Sequence, residues 1–134
     1  MGHFSSRGVR IRRERVAWFR IAWSLLALFI VAGSAGTWAP YQPGIWAPLL
    51  IKPADVARNI ALYVPFGFLG MVALGRSDFR GVLRVTALAI LFSCANEVLQ
   101  LYTVDRVGSV TDIVSAALGT IAGASVIALF LAPR

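Results

Sequence analysis

Four apolar runs constrain this chain more than any other feature in it. They are Ile21–Trp38, Asp55–Gly75, Val85–Val104 and Thr111–Ala132, each of roughly 18–22 residues. About 20 helical residues cross about 30 Å of hydrocarbon. Within lipid every backbone N–H and C=O must be satisfied internally, which leaves only helices and closed barrels. Barrel strands alternate polar and apolar side chains over about 10 residues, and these runs do not alternate. The expected fold class is therefore all-α, an integral membrane bundle of four transmembrane helices. Composition points the same way: 14% of residues are charged and 58% hydrophobic, where a soluble domain carries about 25% charge. The length suits one membrane domain over residues 21–134, preceded by a basic segment over residues 1–20.

Basic residues set the expected orientation. Arg7, Arg10, Arg12, Arg13, Arg15 and Arg20 precede the first run, Arg76, Arg80 and Arg84 follow the second, and Arg134 ends the chain. These ten share one side in a four-span topology, against Lys52, Arg58 and Arg106 on the other. The positive-inside rule then predicts an N-in/C-in protein with residues 1–20 in the cytoplasm. Trp38, Tyr41, Trp46 and Tyr102 fall near the outer interface, where amphipathic rings are favoured. Twelve arginines to one lysine suit a high-GC bacterial genome, so the expected location is the bacterial cytoplasmic (inner) membrane, as a multi-pass protein. The first run also reads as a signal peptide cut after Gly36, with small residues at Ser34 and Gly36. The basic stretch reaching Arg20 is long for that, and the later runs are spans in their own right.

Several chemistries are excluded early. Cys94 is the single cysteine and His3 the single histidine. No intrachain disulfide, zinc site or histidine-based triad is expected within one chain. No metal or cofactor is expected. The basic cluster borders an apolar run and lacks interleaved aromatics, so it fits a membrane surface and not a nucleic acid.

The polar residues inside this apolar chain gather at one depth. The stretch "ANEVLQLYTVDRVGSVTDIV", residues 95–114, holds Glu97, Asp105 and Asp112 between two apolar runs. The second run begins at the same level with Asp55, Arg58 and Asn59. Some of these residues have structural readings. Asp55 follows Pro53 into a helix start, where a carboxylate suits the dipole. Ser109-x-x-Asp112 has the spacing of a capping box. Asn59 and Asn96 suit interhelical hydrogen bonds. Glu97 is harder to place, because the end of a helix and the lipid both disfavour its charge. Arg58 or Arg106 is the expected ion partner, and Gln100 shares the helix face of Glu97. Pro65 removes a hydrogen bond to Ala61 and is expected to kink the second span. Ser115, Gly119 and Gly123 form a small-xxx-small face for helix packing.

In order along the chain, Asp55, Asn59, Pro65-Phe66-Gly67, Glu97-x-x-Gln100, Arg106-x-x-Ser109-x-x-Asp112, Gly119 and Gly123 resemble the VanZ-like family of small bacterial membrane proteins. The likeness covers roughly residues 53–125. It differs at Ala116, where the family usually carries asparagine. The family takes its name from a glycopeptide-resistance cluster, whose member is linked to reduced teicoplanin susceptibility. The resemblance implies a cell-envelope protein acting at the outer face, and it supplies no reaction.

The expected site is thus outward-facing and made of Asp55, Arg58, Asn59, Glu97, Gln100, Arg106, Ser109 and Asp112. Its expected role is to recognise or handle an amphiphilic envelope ligand, such as a lipid-linked precursor or a lipoglycopeptide like teicoplanin. The arginines would take phosphate or carboxylate. One alternative is a membrane enzyme acting on an envelope lipid, with Glu97 as general base. Another is a structural partner of a second membrane protein. Membrane lipids are expected neighbours in every case.

Overall fold

The computed structural model describes residues 13–34, 52–103 and 108–131. Four helices follow one another: α1 (Arg13–Ser34), α2 (Pro53–Ala73), α3 (Phe79–Gln100) and α4 (Val110–Leu131). Each contains a stretch long and apolar enough to cross a membrane. The all-α bundle of four membrane helices is therefore the observed fold class, and no strand occurs among the described residues. Trp38, Tyr41, Trp46 and Arg106 lie outside the described residues.

Two of the helices begin well before their apolar runs. α1 starts at Arg13, not Ile21, so Arg13, Arg15 and Arg20 belong to the helix. Arginine is a good helix former, so these residues extend the helix. α3 starts at Phe79, not Val85, because Asp78 caps it: its carboxylate accepts the Gly81 N–H at 3.0 Å. α2 starts at Pro53 with Asp55 in its first turn, and runs as one helix through Pro65.

The end of α2 is closed twice. Gly75 has φ +61°, a conformation that suits glycine. It lets the Arg76 N–H reach the Met71 carbonyl and the Gly75 N–H reach the Val72 carbonyl, both at 3.0 Å. That pair of bonds is a Schellman motif. Arg20 of α1 then donates its Nε–H to the Ala73 carbonyl at 3.1 Å. This places a cation at the negative end of the α2 dipole.

α2 and α4 form the most extensive helix pair. The contact is backbone to backbone. A Cβ added at Gly123 would overlap the Val64 carbonyl, one at Gly67 the Thr120 carbonyl, and one at Gly119 would lie 2.7 Å from the Ile60 carbonyl oxygen. The small-residue face of α4 thus packs as expected, by allowing the helices to approach closely. α1 is the peripheral helix: 6% of its membrane window is buried, against 39% for each of the others. It packs on α2 and barely touches α3. Ile30 is its buried core residue, and the Trp23 ring lies 5.2 Å from that of Phe66.

Candidate functional site

At the end of the bundle that holds Gln100 and Ser109, a cavity of about 270 Å³ opens between α1, α2 and α3. α2 contributes Arg58, Asn59 and Tyr63, α3 contributes Ser93, Asn96, Glu97 and Gln100, and α4 contributes Asp112. Phe29, Ile30 and Gly33 of α1 cover one side. Helical spacing explains the grouping. Asn59 and Tyr63 lie one turn apart on α2, and Ser93, Glu97 and Gln100 follow each other at steps of four and three on α3.

Glu97 is 2% exposed. Its Oε2 accepts the backbone N–H of Ser109 at 2.6 Å. Ser109 immediately precedes α4, and its hydroxyl accepts the Thr111 N–H at 3.2 Å, as a helix cap does. In a capping box the carboxylate three residues on would take the Ser109 N–H. Here the carboxylate comes from α3, while Asp112 lines the cavity. The Ser109 N–H thus has an acceptor on another helix, which local spacing does not reveal. This contact also answers the problem posed by Glu97: its charge sits at the end of α3 but against the start of α4, where the dipole favours it.

Arg58, one of the two expected partners of Glu97, has a carboxylate neighbour on its own helix. Among the described residues Arg58 pairs with Asp55 on its own helix, with Nη2 to Oδ1 at 3.4 Å and both side chains about half exposed. Helical geometry brings residues three apart together with little ordering. Arg106, the other expected partner, lies outside the described residues.

Of the expected site residues, the cavity gathers Arg58, Asn59, Glu97, Gln100 and Asp112. Asp55 joins it through Arg58, and Ser109 through Glu97. Sequence reasoning missed Tyr63 and Ser93. The signal was present in the four-residue steps from Asn59 to Tyr63 and from Ser93 to Glu97. Ala116, where the resemblance led one to expect asparagine, is fully buried and packs with Tyr63, Phe66, Ala89 and Ile30. The polar site does not extend to it. Among the described residues no three His, Cys, Asp or Glu side chains converge as a metal site.

Chemically, the cavity offers two carboxylates, three side-chain amides, two hydroxyls and one guanidinium at its rim. Such a set can hydrogen-bond hydroxyl- and amine-bearing groups, with a single position suited to phosphate or carboxylate. In comparisons with known proteins, the sequence model of the family described as VanZ/LLP1 matches residues 8–131, nearly the whole chain. No curated protein and no solved structure matches it.

Proposed function

Since the chain belongs to the VanZ/LLP1 family, we propose that it recognises or handles an amphiphilic cell-envelope ligand at the outer face of the bacterial cytoplasmic membrane. The ligand class is a lipid-linked precursor or a lipoglycopeptide such as teicoplanin. The observation that supports this reading is the cavity itself: polar groups from three helices converge at one end of an apolar bundle, beside the apolar residues Phe29 and Ile30. Buried polar groups in a membrane protein cost energy unless they are used in packing or in binding. The two acidic groups, Glu97 and Asp112, face amines and hydroxyls of the ligand head, and Arg58 meets its phosphate or carboxylate. The N-in/C-in orientation belongs to the same proposal and rests on the ten-to-three split of basic residues.

The test is native mass spectrometry of the purified protein for co-purified lipid. Wild type should retain a bound amphiphile. Arg58→Gln and Asp112→Asn should each lower its occupancy by about tenfold or more, the loss of one charge-assisted hydrogen bond. Retention unchanged in both variants would rule the polar cavity out as the binding site.

A further inference from the structure

We propose that the gap between α1 and α3 seats the hydrocarbon tail of that ligand, and that the ligand enters the polar cavity sideways from the bilayer. This inference rests on the polar cavity being the head-group site. A second cavity, of about 430 Å³, lies in the gap. It is lined by Trp23 and Ala27 of α1, Phe66 of α2, and Leu88, Leu91 and Phe92 of α3. The lining is apolar apart from the Trp23 indole N–H and Ser24.

The two cavities run end to end along one seam. On α3, Phe92 lines the apolar cavity and the next residue, Ser93, lines the polar one. On α2 the change falls between Phe66 and Tyr63, whose rings are in contact at 5.5 Å. On α1 it falls between Ala27 and Ile30. On α2 and α3 the lining thus passes from apolar to polar within one turn, at the same level, while α1 runs along both cavities with a largely apolar face. The polar end lies at the helix ends and the apolar end lies toward mid-bundle. An amphiphile in a leaflet has the same order, with its head at the boundary and its tail at depth.

The length also fits. From Leu88 to Gln100 the α3 axis rises about 18 Å at about 1.5 Å per residue, close to half of a hydrocarbon core about 30 Å thick. The seam is therefore about as long as one chain in one leaflet. It is open to the side because α1 packs on α2 and barely touches α3. In a bilayer an open apolar groove is filled by a chain, and the chain that gains most is the one whose head is already held above it.

The experiment uses the full-length protein in nanodiscs of phosphatidylglycerol. The probe is a lysophosphatidylethanolamine with a diazirine in its acyl chain, which carries an amine for the carboxylates and a phosphate for Arg58. Photolabelled peptides are mapped by mass spectrometry. Labelling at residues 23–27 and 88–92 should exceed labelling at Leu129 and Phe130, which face away from the bundle at 79% and 82% exposure. Ala27→Trp fills the groove and should lower its labelling by about tenfold, the contact of roughly two methylenes. Leu91→Trp makes the same test at a position 67% exposed, where a larger side chain does not disturb the fold. Leu129→Trp should leave groove labelling unchanged. Labelling spread evenly over groove and outer surface, or unaffected by both groove variants, would overturn the tail site. Groove labelling that persists undiminished in Arg58→Gln and Asp112→Asn would mean bulk lipid fills it, and would also overturn the proposal. The two readings fail separately: loss of head-group binding in the polar variants with no effect of Leu91→Trp removes the groove and leaves the polar site standing.

Discussion

The carboxylate of Glu97 accepts the backbone N–H of Ser109 at 2.6 Å, tying the last turns of α3 to the first turn of α4. A buried acid thereby closes the turn between two helices and presents the same side chain to the polar cavity. Glu97→Ala leaves the buried N–H of Ser109 without this acceptor, and should cost about 1–3 kcal/mol of stability. Glu97→Gln keeps an acceptor oxygen at the same place and should cost less than half as much. Unfolding by denaturant in detergent micelles measures both. Equal losses in the two variants would show that charge, not the hydrogen bond to Ser109, sets the contribution of Glu97.

Asp55 and Arg58 predict a contrasting result. Their pair lies within one helix and is half exposed, so water screens it. Asp55→Asn should change stability by at most about 1 kcal/mol. The same substitution frees Arg58 for an anion, so head-group binding should tighten or hold. A stability loss as large as that of Glu97→Ala would contradict this assignment.

The glycine contacts between α2 and α4 predict steep losses. Gly119→Leu and Gly123→Leu push side chains into the Ile60 and Val64 backbone. Each should destabilise the bundle by about 1–3 kcal/mol or more, since no side-chain rearrangement relieves a clash with backbone. Gly33→Leu, with nothing within 4 Å of an added Cβ, serves as the control. Melting temperatures in detergent that match wild type for both α4 variants would remove the close-contact reading.

Arg20 predicts a local effect. Its bond to the Ala73 carbonyl is charge-assisted but partly exposed, so Arg20→Gln should cost about 1 kcal/mol. Amide exchange should speed up in the last turn of α2 and stay unchanged around Glu97. Uniform exchange along α2 would show that the bond does not hold that end.

Orientation has its own test. In a Cys94→Ser background, a cysteine at Ala54 should react with an impermeant outside reagent, and one at Ser77 should not. The reverse pattern would invert the topology and place the polar cavity in the cytoplasm.

Much of this was legible in the sequence, for a physical reason. A glutamate, asparagine or glutamine inside an apolar helix is costly, so Asn59, Glu97 and Gln100 stood out and do line the cavity. Tyr63 and Ser93 did not stand out, because a small hydroxyl or an amphipathic ring is ordinary in a membrane helix. The helices begin before the apolar runs where polar residues extend or cap them, as Arg13 and Asp78 do. The local spacing from Ser109 to Asp112 gave no sign that a carboxylate of α3 also meets the Ser109 N–H. Reach across helices, like that of Arg20 to Ala73, depends on packing that no local pattern encodes.

The contact between α2 and α4 has a consequence for the order in which the protein is made. Its partners are separated in the chain by the whole of α3, and no side chain substitutes for the backbone surfaces that meet at Gly67, Gly119 and Gly123. α2 therefore waits, already synthesised, for a neighbour that emerges two helices later. Until α4 enters the bilayer, the Ser109 N–H is not yet beside Glu97 either. The tightest seam and the Asp112 side of the polar cavity are thus completed together, at the last helix, and a nascent chain stopped before residue 110 lacks both.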